Sequence, residues 1–121
     1  MVALIRRDTD SDGDRDEIPP GTLHMLILKT LAARGCLHGY EIAEYIQSSS
    51  YEVLQIEEGS LYPALQRMLV KGWVRAEWGV TAGNRRERYY TLTPDGKKQL
   101  RTERSQFERV MGAISRVIET A

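Results

Sequence analysis

Three helical stretches, a two-stranded β-ribbon and one long helix, in that order, predict a mainly α (α+β) fold. The arrangement is a winged helix-turn-helix with a long C-terminal helix, here expected to serve dimerisation. Two more observations support it. The chain has 121 residues, enough for one domain with a real core, and 41% hydrophobic against 28% charged residues is the globular range. The apolar pattern also changes period, from helical spacing to short β-branched and aromatic runs after Gly72, then back after Thr93.

Residues 1–20 come first and lack periodicity. Their aspartate-rich composition predicts an acidic, disordered leader. Residues 1–18 carry three arginines against six acidic groups, so residues 19–121 hold 14 basic and 11 acidic groups. The formal net charge of zero therefore hides an acidic leader and a mildly basic body. Residues 21–93 are expected to form the winged domain and residues 94–121 the terminal helix.

From Thr22, "TLHMLILKTLAARG" is rich in helix formers, with Leu23, Leu26, Ile27 and Leu31 at helical spacing and Gly35 as the stop. "GYEIAEYIQSSS" gives a second, shorter helix that the serine run ends, and "YEVLQIEE" an irregular or extended connection. The third helix lies in "EEGSLYPALQRMLVKGWV". Proline inside a helix removes a hydrogen bond and clashes with the carbonyl four residues back. If Ser60 or a residue just before it is the cap, Pro63 falls in the first turn and becomes a start signal, with Gly72 as the stop. "WVRAEWGV" and "RERYYTL" read as two strands around "TAGNR". Thr93-Pro94 then opens the last helix as N-cap and first helical residue.

On the third helix, Leu61, Leu65, Met68 and Leu69 point inward. Ser60, Pro63, Ala64, Arg67 and Lys71 form the outward stripe, with Tyr62 and Gln66 on its flanks. A helix that enters the major groove needs small residues near its start, and its free amides can receive a phosphate. An ordinary solvated face is an equally good account of this helix alone. The ribbon adds Arg85, Arg86 and Arg88 beside one acid, Glu87, which suits phosphate or minor-groove contacts. A charged edge strand guarded against aggregation is the competing account. Trp73 and Trp78 fall on the first ribbon strand, with Trp73 read as core.

The last helix carries Phe107, Val110, Met111, Ile114, Val117 and Ile118 beyond the compact body. At about 25 cal/mol per Å2 of apolar area, leaving such a stripe in water forfeits several kcal/mol. A second copy packed on it removes that cost, and Gly112 would allow close approach; folding back onto the first helix is the alternative. Two recognition helices related by a two-fold axis would read half-sites about one DNA turn apart.

The segments "LILKTL", "HGYEIA", "EEGSLYPALQRMLVKGWV" and "NRRERYYTLTPDGKKQL" together resemble the PadR-like transcriptional regulators, over roughly residues 21–101. The tail after Gly96 looks like the subgroup with a single C-terminal helix. The resemblance implies a homodimeric, cytoplasmic, sequence-specific regulator that binds double-stranded DNA at a palindromic operator, generally a repressor sensing a small molecule or stress. It puts Tyr40, Ser60, Tyr62 and Pro63 near DNA, Arg67 on the same helix, and Arg85 and Arg86 on the wing. It also implies a flat aromatic effector between the dimer helices, with Phe107 and Met111 as candidate liners, although an aromatic and methionine stripe is more commonly plain packing. A winged-helix protein-interaction module without DNA binding is the rival function; such modules keep the core leucines and lose the basic wing.

Other classes find little support. A single cysteine, Cys36, allows no intramolecular disulfide and fits a reducing cytosol. No apolar run has the length of a membrane span. "DTDSDGDRDEIP" imitates a calcium loop at Asp8, Asp10, Asp12 and Gly13. It fails where Arg15 replaces an apolar residue and Pro19 the bidentate glutamate. The acidic leader is more simply a solvated tail, or a competitor with DNA for the basic wing. His24, expected partly exposed, and His38, expected to help start the second helix, lack metal spacing. No nucleophile motif or phosphate loop appears, so no enzyme, metal or cofactor is expected.

Overall fold

The structure is a computed structural model that describes residues 16–19 and 21–120. Its elements are β1 (Asp16–Glu17), α1 (Leu23–Arg34), β2 (Leu37–His38), α2 (Gly39–Ser49), β3 (Leu54–Gln55), α3 (Glu58–Val70), β4 (Val74–Val80), β5 (Arg86–Leu92) and α4 (Pro94–Glu119). The mainly helical winged helix-turn-helix with a C-terminal helix is thus the observed fold.

Helices α1 to α3 enclose a core of Ile27, Leu28, Leu31, Ile42, Ile46, Leu61, Leu65 and Met68. Val74, Tyr90 and Leu92 close it from the hairpin. Two short strands were not expected. β2 pairs antiparallel with β5, so the wing is a three-stranded sheet of order β2-β5-β4. β1 pairs parallel with β3. Disorder throughout residues 1–20 is therefore corrected at 16–19: the backbone of Asp16 and Glu17 joins a ladder, and the apolar Ile18 packs on the core. Residues 8–15, the first eight of the calcium-like loop and most of the acidic run, lie outside the described residues.

Helix ends follow the sequence at three of four stop and start signals. Gly35 takes φ +89° at the end of α1, and Gly72 takes φ +77° just past α3, where Trp73 N donates to Met68 O at 3.0 Å. Thr93 accepts a bond from Gly96 N at 3.0 Å and opens α4. The start of α3 differs. Glu57, three residues before Ser60, is its N-cap, and the Ser60 and Leu61 amides donate to Glu57 O at 3.0 and 2.9 Å. Pro63 is consequently the sixth helical residue, in the second turn. The carbonyl it leaves without a helical donor is that of Gly59, and both residues face solvent, where water can satisfy the group.

The C-terminal end of α3 is tied to the start of α4. The Thr93 hydroxyl donates to Gly72 O at 2.6 Å and Thr93 N to Trp73 O at 3.1 Å. Gly96 presses on this junction, since a Cβ there would stand 2.1 Å from Trp73 O and 2.7 Å from Leu92 Cδ1. The first turns of α4 then run beside α1, with Leu100 against the core and Met25 and Leu26 near Phe107.

Candidate nucleic-acid interface

The candidate surface grows from α3 and the two elements beside its first half. At 100° per residue, Gly59, Pro63 and Val70 mark the outermost line of α3, and all three are exposed. Ala64 is fully buried, so the outward stripe is corrected there: its small side chain serves core packing, not groove approach. Ser60, Tyr62, Pro63, Gln66, Arg67 and Lys71 are exposed.

These residues separate onto two flanks. Tyr62 lies toward α2 and the wing. A Cβ at Gly39 would come within 2.6 Å of its hydroxyl oxygen, so the glycine at the start of α2 makes room for the ring. Burial, with Glu87 and Glu58 nearby, raises the Tyr62 phenol above its ordinary pKa and keeps it a neutral donor and acceptor. Tyr40, 64% exposed, lines the same α2–α3 groove. Ser60 instead borders Ile18, Pro19 and Gly21, and Arg67 and Lys71 approach His24 of α1. Lys71 stands 5.4 Å above the Trp73 ring. The helix start is also less hospitable to an anion than its free amides suggest, because Glu57 and Glu58 occupy the N-cap and first turn.

The wing projects beyond the body. Its turn is held by Thr81 N donating to Arg85 O at 2.8 Å and Asn84 N donating to Thr81 O at 2.9 Å; Asn84, not Gly83, takes the left-handed conformation. Arg85 and Arg86 are exposed and Arg88 is half-buried. Arg85 Nη2 meets Glu87 Oε2 at 3.7 Å. Trp78, unused in the sequence analysis beyond its strand, lies beneath Arg86 and Arg88 at 4.6 and 5.7 Å from guanidinium carbon to ring centroid. Strand alternation could have placed Trp78 beside a basic β5 face, had the register been known.

His24 sits where α1, the end of α3 and α4 meet. It packs edge-on against Trp73 at 5.7 Å, and its buried Nε2 has no hydrogen-bond partner. Burial, then the Arg67 charge, lowers its pKa, while Glu103 opposes them. His38 starts α2 as expected: it is the N-cap, and its amide donates to Glu41 Oε1 at 3.1 Å. A groove of about 850 Å³ between α1 and α4 is lined by His24, Glu103, Phe107, Val110, Met111 and Ile114. Phe107, Val110, Met111, Ile114, Val117 and Ile118 are all exposed along α4. No helix among the described residues is long and apolar enough to cross a membrane.

Comparison with known proteins adds relatives to this geometry. Residues 27–102 match the transcriptional regulator PadR-like family. A protein of uncharacterised function from Lysinibacillus sphaericus is 31% identical over 86 residues, covering 71% of this chain and 78% of its own length. A transcriptional regulator from Clostridium thermocellum superposes with a TM-score of 0.74 at 28% identity, over 82% of this chain and 95% of that one. A PadR family transcription regulator from Clostridium difficile gives 0.69 at 26%, over 81% and 99%. Bacillus subtilis PadR, solved in complex with operator DNA, gives 0.60 at 26% identity over 69% of this chain and 47% of that one.

Proposed function

The chain belongs to the PadR-like family of transcriptional regulators, and from that premise we propose that it binds operator DNA as a cytoplasmic homodimer and represses transcription. The observation that carries this reading is the exposed, uncharged trio Ser60, Tyr62 and Pro63 in the first half of α3, next to a wing bearing three arginines. Tyr40, Ser60, Tyr62 and Pro63 are assigned to close groove contacts, and Arg67, Lys71, Arg85, Arg86 and Arg88 to phosphates or base edges. Neutral hydroxyls at Ser60 and Tyr62 can accept or donate to bases without a charge to neutralise. Residues 21–93 act as the DNA-binding unit, with residues 16–19 packed on it, and residues 94–121 as the dimerisation helix.

The dimer assignment is supported by α4, 26 residues and roughly 39 Å long, whose apolar stripe from Phe107 to Ile118 stays exposed. Phe107, Val110, Met111, Ile114, Val117 and Ile118 would pack on their equivalents in a second copy. The groove beside Phe107 and Met111 is the place for a small flat aromatic effector.

The test is a mobility-shift titration with the gene's own upstream DNA at several salt concentrations. Binding that weakens steeply with salt is expected, and Arg85→Ala/Arg86→Ala should weaken it and flatten the slope. Absence of salt-dependent binding would favour the protein-interaction module instead. Light scattering should give a dimer at micromolar concentration and a monomer for Ile114→Glu.

A further inference from the structure

Trp78 on β4 of the wing has no part in the DNA contacts proposed for its neighbours. On one face of the hairpin the facing pairs are Val74 with Leu92, Ala76 with Tyr90, Trp78 with Arg88 and Val80 with Arg86. Val74, Leu92 and Tyr90 belong to the core; Trp78, 58% exposed, and Val80 have left it. An indole this large on a solvent-exposed ribbon is not there to fill the core. Its face is instead occupied by two cations, with the Arg86 and Arg88 guanidinium carbons at 4.6 and 5.7 Å from the ring centroid. Arg88 Nε is buried and has no hydrogen-bond partner, and its guanidinium lies over the indole. Arg85 is held differently: its side chain is 72% exposed and pairs with Glu87 at 3.7 Å.

We infer that Trp78 is a positioning residue for DNA contact, which holds the Arg86 and Arg88 guanidiniums ready on the wing. The inference rests on the DNA-binding reading. A guanidinium stacked on a ring uses its flat face and leaves N–H edges to donate to phosphate oxygens in the fork geometry. A free arginine loses many rotamers when it binds, and one already held by an aromatic face loses fewer. Trp78 therefore acts through the two arginines, which sets it apart from a residue that touches DNA itself.

The experiment is a double-mutant cycle on the full chain, read by fluorescence anisotropy with both upstream and unrelated duplex DNA. Trp78→Ala should weaken binding about threefold to tenfold with no loss of helical signal or melting temperature, and Trp78→Phe should recover much of it. In an Arg86→Ala/Arg88→Ala background, Trp78→Ala should change nothing further. An undiminished effect of Trp78→Ala in that background, or equal binding by wild type and Trp78→Ala, overturns the inference and leaves the DNA reading intact. A wild type that binds no duplex even at low salt overturns both.

Discussion

The two ends of one hairpin are built on opposite terms. At its base, Gly72, Trp73, Thr93 and Gly96 satisfy one another: the Thr93 hydroxyl both donates to Gly72 O and accepts from Gly96 N, and no space is left for a Cβ at Gly96. At its tip, Trp78, Arg85 and Arg86 face water, Arg88 is half-buried, and two of the three guanidiniums rest on an aromatic ring. The strand alternation runs unbroken between the two. What changes is the partner, from core leucines to solvent and cations. Removing an internally paired group at the base leaves an unsatisfied or clashing neighbour, whereas removing an exposed cation at the tip leaves only water. The base should therefore control stability and the tip should control binding.

Gly96→Ala is the hardest way to break this contrast. The Trp73 carbonyl is backbone and cannot move aside, so α4 must shift, and we expect a loss of about 3 kcal/mol in denaturant unfolding. Stability unchanged within 0.5 kcal/mol of wild type would show that the junction yields easily (a threshold of the order of surface substitutions). Thr93→Ala removes a cap and a buried bond together and should cost about 1–2 kcal/mol. Its DNA affinity per folded molecule should be unaffected.

At the tip, Arg85→Ala/Arg86→Ala should change the free energy of unfolding by less than about 0.5 kcal/mol, because exposed cations and their ion pairs contribute little. The same change is expected to weaken DNA binding, which is the reverse of the pattern at the base. A melting curve that falls as far as that of Thr93→Ala would erase the distinction between the two ends.

The smallest effect concerns His24, beside the base on α1. Its folded pKa lies below the ordinary 6.5, so the unfolded chain binds the proton more readily. Folding is then favoured while the ring is neutral, and stability should fall as pH drops below about 6.5 toward the lower folded value. His24→Gln should flatten that part of the stability profile in urea titrations from pH 7.5 to 5. An unchanged profile would place the titration elsewhere.

Local chemistry made much of the fold legible. The stop at Gly72, the cap at Thr93 and the alternation of β4 and β5 each depend on residues within a few positions of one another, so composition and spacing suffice. The candidate interface was legible in residue type but not in arrangement. Ala64 reads equally as a small groove-facing residue or a tight core residue, and only the packing of α3 on the core decides between them. Glu57 resembles any surface acid until the amides of Ser60 and Leu61 are seen to turn back onto its carbonyl.

The amino-acid order by itself determined three helices, a basic hairpin and a long amphipathic helix, because periodicity and capping act along the chain. Tertiary structure decided what those elements meet. It recruited Leu37–His38 and Asp16–Glu17 into ladders with distant strands, divided the exposed residues of α3 between the wing and α1, and set Trp78 under two arginines that lie eight and ten residues away in sequence. Those pairings depend on strand register and helix packing, and both are settled only when the whole core closes.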